Sequence, residues 1–249
     1  MYYREDWFGR ILENIGLDFI EHGEVVDVGE WQSFRDPDLP MTKTFELEDV
    51  SFKWNRVPST VDQLQFSIKP NLPWAEDHFQ ERMSGNPLNP GEQYKNWPWY
   101  EQGVEEHKGG GLFSHTYMER YYPPHRAGIR FDYGTLDNLK SLLMMRPHTR
   151  QAYLPVWFPE DLYAADVLGE RVPCTLGYHF LLRDGKLKVV YYMRSCDWFR
   201  YFRDDVYMTA RLQQHLAHMM NVDMGPLVMH ISSLHIFEPE IERLQNEHG

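Results

Sequence analysis

Residues 174–195 constrain the fold more than any other part of the chain, because they predict a β-hairpin. Two runs rich in β-branched and aromatic residues, CTLGYHFLL and LKVVYYMRS, flank the sequence RDGK. An Asp-Gly pair between such runs is the strongest short-range hairpin signal, since both turn residues must adopt positive φ angles. An isolated hairpin is only marginally stable in water. The rest of the chain must therefore supply further strands and a covering layer.

Apolar residues elsewhere recur at helical or strand spacing. Helices are predicted over 5–15, 74–84, 136–145, 204–220 and 238–247. Strands are predicted over 24–28, 64–68, 151–158 and 225–237. An ordered surface loop, rich in Pro, Gly and Trp, is predicted over 85–111. The pattern favours an α+β fold, and the length suits a single domain over residues 1–249.

Charge and cysteine content narrow the class of protein. The net charge of −12 argues against a basic surface that binds duplex nucleic acid. The two cysteines, Cys174 and Cys196, are too few for a disulfide framework and suit a reducing compartment. The sequence shows neither a signal peptide nor an apolar run of about 20 residues that spans a membrane. We therefore expect a cytoplasmic protein, in the host cytoplasm if the source is viral.

Cys174 is a candidate nucleophile because of its position in the predicted hairpin. It follows Pro173 at the start of the first strand, and Arg194 lies near the end of the paired strand. A nearby cation lowers the pKa of a thiol and so favours the reactive thiolate. The alternative is that Cys174 is a small buried side chain, as many free cysteines are. The residue pattern alone leaves both interpretations open.

Four motifs in order give the chain a resemblance to the thymidylate synthase family. They are Pro-Cys at Cys174, Gly-Lys-Leu at 185–187, Arg-Ser-x-Asp at 194–197 and a His-x-Tyr motif that here is 235–237. Upstream, RPHTRQAYLPVWF is similar to the family's Pro-x-Ser-Arg-Arg segment and the strand that follows it. The resemblance covers residues 136–241 and implies a mixed β-sheet flanked by helices.

The resemblance implies one-carbon transfer to a pyrimidine nucleotide. Cys174 is expected to add to C6 of the base, so that C5 takes a one-carbon unit from 5,10-methylene-tetrahydrofolate. Arg194 and Ser195 are expected to hold the 5′-phosphate. Arg150 matches an arginine that reaches the phosphate of the neighbouring subunit, which implies a homodimer. His235 matches the residue at the sugar 3′-hydroxyl.

The resemblance also implies a folate site and further residues around the base. Asp197 matches the carboxylate that binds the pterin ring. Trp97 and Trp99 are expected to form a wall against the folate, with packing of the loop as the alternative. The glutamate that organises water near the base is assigned to Glu76, with Glu81 as the alternative. Tyr117 matches a tyrosine near the nucleophile.

Asp205 is the departure from the family that bears most on the substrate. Counted from Arg194, it stands where the family has an asparagine that reads the pyrimidine edge. An amide matches uracil, whereas a carboxyl group accepts from N4 of cytosine and shares a proton with N3. The branch with aspartate here is the deoxycytidylate (dCMP) hydroxymethylases, known from bacteriophages. The alternative is a helix-capping role; Asp204 can cap while Asp205 reads the base.

Three further departures weaken the match to an ordinary thymidylate synthase. Gln151 replaces the second arginine of the Arg-Arg pair, and Met193 replaces a glutamine. Phe237 replaces the tyrosine of His-x-Tyr, so the sugar loses a hydroxyl partner. A ribonucleotide substrate therefore stays open beside a deoxyribonucleotide.

The sequence thus favours a 5-hydroxymethyltransferase that acts on dCMP or CMP. The alternatives are hydroxymethylation or thymidylate synthase-type methylation of dUMP, and a catalytically silent homologue that binds nucleotides. No metal is expected, because His215 and His218 lie one helical turn apart without a third or fourth ligand in the sequence pattern.

Overall fold

The structure is a computed structural model that describes residues 1–29, 35–36, 39–40, 43–96, 112–124 and 133–248. Its strands are β1 (Tyr2–Glu5), β2 (Glu24–Asp27), β3 (Arg35–Asp36), β4 (Leu39–Pro40), β5 (Lys43–Trp54), β6 (Tyr153–Pro155), β7 (Thr175–Arg183), β8 (Lys186–Asp197) and β9 (Asp223–Phe237). Its helices are α1 (Phe8–His22), α2 (Val61–Ile68), α3 (Trp74–Arg82), α4 (Glu92–Lys95), α5 (Tyr117–Tyr121), α6 (Leu136–Met145), α7 (Glu160–Asp166), α8 (Phe202–Met220) and α9 (Glu238–His248).

One mixed sheet organises these elements. Its strands follow the order β1-β5-β9-β8-β7-β6, and β2 also pairs with β5. The central β8 and β9 run parallel, whereas β7 and β5 pair with them in antiparallel fashion. The α+β fold with a mixed sheet flanked by helices is thus confirmed.

The predicted hairpin is confirmed as β7 and β8. Its turn residues Asp184 and Gly185 both have positive φ angles, 51° and 71°. The pairing runs from Arg183 opposite Lys186 to Thr175 opposite Met193. This register brings the start of β7 beside the end of β8, where the candidate nucleophile and its cation lie.

Aromatic packing attaches α1 and α8 to one face of the sheet. The Phe8 ring of α1 lies 5.2 Å from the Trp54 ring of β5 and 6.2 Å from the Phe202 ring of α8. All three side chains are at most 1% exposed. Burying a large apolar side chain contributes about 1.5–3 kcal/mol each. The first turn of α8, which carries Asp205, is therefore held firmly against the sheet.

Two predictions about the N-terminal half are wrong in part. The strand predicted over 64–68 is the second half of α2, whose start is capped by the Thr60 side chain accepting from Gln63 N. The long strand β5 was not predicted as a unit, because Asp49 has a φ of 53° and interrupts the alternation of side chains. Within 85–111 the structure shows α4, and 97–111 lie outside the described residues.

The opposite face of the sheet is half-exposed and rich in aromatic side chains. The Tyr192 ring of β8 stacks on His230 of β9 with centroids 5.3 Å apart, and Tyr153 of β6 lies 6.4 Å from Tyr192. Ser51 Oγ lies 2.8 Å from His230 Nδ1. We call this surface, formed by Ser51, Tyr153, His179, Tyr192 and His230, the outer sheet face. Separately, none of the described helices combines the length and apolarity that a bilayer crossing requires.

Candidate active site

Cys174 lies immediately before β7 with the Arg194 guanidinium against it. Arg194 Nη2 is 3.8 Å from Cys174 Sγ, and the Arg194 backbone N–H donates to the Cys174 carbonyl at 2.9 Å. The guanidinium is fixed by two backbone carbonyls, with Nε donating to Pro173 O at 2.9 Å and Nη2 to Val172 O at 3.0 Å. The hairpin thus holds a cation beside the thiol before any ligand binds.

The electrostatic balance at the thiol is between burial and that cation. Burial raises the pKa of Cys174, and Arg194 opposes the shift. The side chain is still partly accessible to solvent. The thiol is thus partly accessible and has a fixed guanidinium within reach that supports the thiolate form, while burial still raises its pKa overall.

A buried chain of hydroxyl groups places Tyr117 next to the nucleophile. Its hydroxyl is hydrogen-bonded to Thr175 Oγ1 at 2.9 Å, and Thr175 Oγ1 to Tyr191 OH at 2.7 Å. Cys174 contributes to the raised pKa of Tyr117, so the Tyr117 hydroxyl lies within electrostatic range of the thiol. The Arg82 guanidinium stacks on the Tyr117 ring at 3.9 Å from its centroid.

Asp205 in the first turn of α8 is a carboxyl group that retains some accessible surface. Burial raises its pKa to about 7, and the neighbouring Asp204 adds to the shift while Arg82 opposes it. Cys196 Sγ approaches Asp205 Oδ2 at 3.8 Å. Near neutral pH this carboxyl group is therefore partly protonated, whereas an ordinary surface aspartate is ionised.

Asp204 does not cap α8, contrary to the capping role considered for it from the sequence. Its two carboxylate oxygens accept from the backbone N–H and the side-chain amide of Asn71, both at 2.8 Å. Asp204 is 2% exposed and joins α8 to the segment after α2. The two adjacent aspartates thus have different surroundings, and only Asp205 retains surface for a ligand.

The residues assigned to phosphate and sugar lie together in one cavity of about 220 Å³. Its lining comprises Val28, Thr44, Glu46, Arg194, Ser195, Ser233, His235 and Phe237. Ser195 Oγ lies 3.4 Å from His235 Nδ1. Burial lowers the pKa of His235 to about 4, so the imidazole is neutral near pH 7. A cation, a hydroxyl and a neutral imidazole suit a phosphate with its attached sugar.

Asp197 lies in the sharp turn between β8 and α8. Its Oδ1 accepts from the backbone N–H groups of Phe199 and Arg200, both at 3.0 Å, and its Oδ2 from Arg200 Nη1 at 3.1 Å. Arg200 also pairs with Glu240 of α9 at 2.9 Å. Burial raises the pKa of Asp197, and Arg200 opposes that shift. Asp197 is a buried acceptor close to the nucleophile.

The structure does not bring the two candidate glutamates to the thiol. Glu76 forms a bidentate ion pair with Arg211, with both N–O distances 2.8 Å, and accepts from Tyr207 OH at 2.6 Å. Glu81 accepts from the Glu92 backbone N–H at 2.6 Å and so holds the start of α4. These contacts join α3 to α8 and α4. A catalytic glutamate at either position stays a prediction without geometric support.

Two other assigned residues, Arg150 and Trp97, are not found in the described cavity. Arg150 is exposed, and its carbonyl lies 3.0 Å from His179 Nε2 on the outer sheet face. It stands at the sheet surface rather than in its own chain's cavity. Trp97 lies outside the described residues.

Sequence reasoning missed three residues of the pocket region. Arg82 is 4% exposed and follows Trp74 and His78 at helical spacing, so its place on a buried stripe was readable from the sequence. Thr44 and Glu46 line the cavity from β5. They were missed because β5 itself was not predicted.

The chain is similar in sequence to proteins of one family. The sequence pattern of the family described as "Thymidylate synthase" matches residues 81–248. A thymidylate synthase from Listeria monocytogenes is 27% identical over 116 residues, which is 45% of this chain and 36% of that protein. A bifunctional dihydrofolate reductase-thymidylate synthase from Paramecium tetraurelia is 25% identical over 151 residues, 59% of this chain and 31% of that protein. The matches span between 31% and 58% of the length of the first curated relatives.

The fold is also similar to that of a solved thymidylate synthase structure. Thermostable thymidylate synthase A from Bacillus subtilis superposes with a TM-score of 0.68 over 97% of this chain and 84% of that chain, at 18% sequence identity. The sequence pattern covers well over half of the chain and includes Cys174, Arg194 and Asp205. The chain therefore belongs to the thymidylate synthase family.

Proposed function

We propose that the protein is a pyrimidine nucleotide 5-hydroxymethyltransferase whose substrate is dCMP or CMP. The observation that carries this proposal is Asp205, a carboxyl group with accessible surface and a pKa raised to about 7. In its protonated form one oxygen donates to N3 of cytosine and the other accepts from N4. The ionised form offers two acceptors and matches neither base edge fully, so the protonated form is the one that contacts the base. The preference for cytosine rests on Asp205 standing where the family has the asparagine that reads uracil.

Cys174 is the nucleophile in this proposal, and Arg194 has two tasks. Addition of the thiolate to C6 of the base leaves C5 electron-rich and able to attack a one-carbon donor. Arg194 lies 3.8 Å from the thiol and also lines the cavity beside Ser195. A phosphate bound there is neutralised by the same cation that supports the thiolate.

The one-carbon donor in this proposal is 5,10-methylene-tetrahydrofolate, which supplies a carbon unit at the oxidation level of formaldehyde. The residues present fit its pterin ring. Asp197 is buried beside the nucleophile, and its Oδ2 keeps a lone pair beyond the Arg200 contact for an N–H donor. Arg200 and the turn amides fix the orientation of that carboxylate.

A homodimer with Arg150 acting in trans is part of the proposal. Two observations support it. Arg150 is exposed beside His179, on the outer sheet face rather than in its own pocket. The outer sheet face is aromatic and only half-buried, which suits a self-complementary contact between two copies. Its partner's Arg150 would then reach the phosphate held by Arg194.

Methylation or hydroxymethylation of dUMP is the second candidate. It is favoured by membership of the thymidylate synthase family and by relatives that carry that name. Asp205 argues against it, because it replaces the asparagine with which the family reads uracil. A catalytically silent homologue is disfavoured because Cys174 and its fixed Arg194 are both retained in contact.

The test measures turnover of dCMP, CMP and dUMP with methylene-tetrahydrofolate. Release of tritium from C5 of each labelled nucleotide is the readout. Mass spectrometry of the product distinguishes a hydroxymethyl group from a methyl group. The proposal expects a 5-hydroxymethylcytosine nucleotide as the main product. Faster turnover of dUMP, or a methyl product, would replace the proposal with the second candidate. The Cys174→Ala variant is the matched control for release that does not depend on the nucleophile.

A further inference from the structure

Two polar side chains that line the cavity, Thr44 and Glu46, have no role in the proposed function. Thr44 is 2% exposed, and its Oγ1 has no hydrogen-bond partner among the described residues although it lines the cavity. A buried hydroxyl without a partner carries a free-energy penalty that a ligand can remove. Glu46, two residues along β5, lines the same cavity and is half-buried.

Glu46 stands directly opposite His235 in the antiparallel pairing of β5 and β9. Residues in such register have Cβ atoms about 4.5–5.5 Å apart, so their side chains share one neighbourhood. In agreement, Glu46 opposes the burial-driven lowering of the His235 pKa. His235 in turn lies 3.4 Å from Ser195, next to Arg194. Glu46 therefore faces the space between the phosphate end of the cavity and β9.

The chemistry of Glu46 limits what it can bind there. A carboxylate repels a phosphate, and it accepts hydrogen bonds but donates none when ionised. Hydroxyl groups are the donors that a nucleotide offers beside its phosphate. Phe237, which also lines the cavity, has no hydroxyl with which to hold the sugar.

We propose that Glu46 and Thr44 bind the 3′-hydroxyl of the nucleotide sugar, with Glu46 accepting a hydrogen bond from that hydroxyl and Thr44 completing the contact. The inference rests on the proposed function only in taking a pyrimidine nucleotide as the ligand. Glu46 then selects a sugar that carries this hydroxyl, a task that Phe237 cannot perform because its side chain has no polar group.

The test pairs protein variants with a ligand that lacks the hydroxyl. Equilibrium binding is measured for dCMP and 2′,3′-dideoxycytidine monophosphate, and in parallel for dUMP and its dideoxy analogue. The unmodified protein is expected to bind the deoxynucleotide roughly 10- to 100-fold more tightly than the dideoxynucleotide, as for a hydrogen bond to a charged group. Glu46→Ala is expected to reduce that ratio to within about threefold.

Two further variants separate binding from a structural effect. Thr44→Val keeps the shape and removes the unpartnered hydroxyl, so it is expected to unfold at the same or a higher temperature and yet to lower only the deoxynucleotide affinity. Glu48→Gln removes an exposed carboxylate from the same strand, opposite Ser233, and is expected to leave the ratio unchanged.

The cytosine and uracil ligand series distinguish failure of the sugar inference from failure of the proposed substrate. If the cytosine assignment fails, dUMP binds better than dCMP but the hydroxyl ratio and its dependence on Glu46 persist in the uracil series. An equal ratio in Glu46→Ala and the unmodified protein, in both series, would overturn the sugar inference. Equal affinity of the unmodified protein for the deoxy and dideoxy ligands would overturn it as well.

Discussion

The Arg194 region and the Asp205 region of the candidate site differ in charge. Arg194 is a cation, fixed by the carbonyls of Val172 and Pro173, and it lines a cavity of about 220 Å³. Asp205 is not among the residues that line that cavity, and its pKa is raised to about 7, with Arg82 as the cation that opposes the shift. In the proposed function the fixed charge holds the nucleotide phosphate, and the carboxyl group contacts the edge of the base.

Removing the proposed nucleophile has the largest expected effect. Cys174→Ala is expected to lower kcat by at least about 1,000-fold while nucleotide affinity changes little, because the thiol acts in the chemical step. Single-turnover kinetics and equilibrium binding measure the two quantities. Cys196→Ser is the control and should remain close to the unmodified enzyme. An essential Cys196 with a dispensable Cys174 would contradict the assignment.

Removing the fixed charge tests the phosphate end. Arg194→Gln is expected to weaken nucleotide binding roughly 10- to 100-fold, because a charged hydrogen-bond partner is lost. It is also expected to raise the pKa of Cys174, since Arg194 opposes the effect of burial on that thiol. The rate of thiol alkylation as a function of pH reports the second effect. A pH profile that does not move toward alkaline pH would mean that Arg194 does not influence the pKa of the thiol.

A mixed dimer tests whether the phosphate end is completed by a second chain. Arg150→Ala and Cys174→Ala chains are each expected to be nearly inactive alone. A dimer containing one chain of each kind is expected to regain one good site, hence about half of the unmodified activity per dimer. Activity measured after the chains are mixed and exchanged is the readout. Full activity of an isolated monomer would remove the trans role.

Asp205→Asn is expected to change the pH dependence of stability by a smaller amount. In the folded protein the pKa of Asp205 is raised from 3.8 to about 7, so its contribution to stability falls as pH rises through that interval. The asparagine variant lacks this loss. Its stability relative to the unmodified protein should rise by at most about 2–3 kcal/mol between pH 5 and pH 8. Denaturant unfolding at both pH values measures the difference, and a constant difference would mean that the pKa is not raised.

The sequence predicted the contact between Arg194 and Cys174 because local geometry decides it. The Asp184-Gly185 turn fixes the register of β7 and β8, and that register alone brings Arg194 to Cys174. Asp197 and His235 were assigned by the family resemblance, and pairing of β8 with β9 places them directly opposite each other at the same end of the sheet. Motifs on neighbouring strands of one sheet need few long-range contacts to meet.

The N-terminal contribution could not be predicted in the same way. Glu76 was assigned because the resemblance calls for a glutamate from the N-terminal half, but its partner Arg211 lies 135 residues away on α8 and contacts both oxygens. Glu46 was missed because β5 is irregular at Asp49, although its pairing with β9 carries it into the cavity. Which carboxylate faces the pocket depends on tertiary packing that no local pattern encodes.

The central claim is that Asp205 reads the base, and one ratio tests it most directly. The measurement is kcat/KM for dCMP divided by kcat/KM for dUMP, in the unmodified enzyme and in Asp205→Asn. A site built for one hydrogen-bond pattern rejects the other because its own polar groups lose their partners. We expect this ratio to be well above one in the unmodified enzyme and to fall by at least about tenfold in Asp205→Asn. A ratio below one in the unmodified enzyme, or no change on substitution, would contradict it.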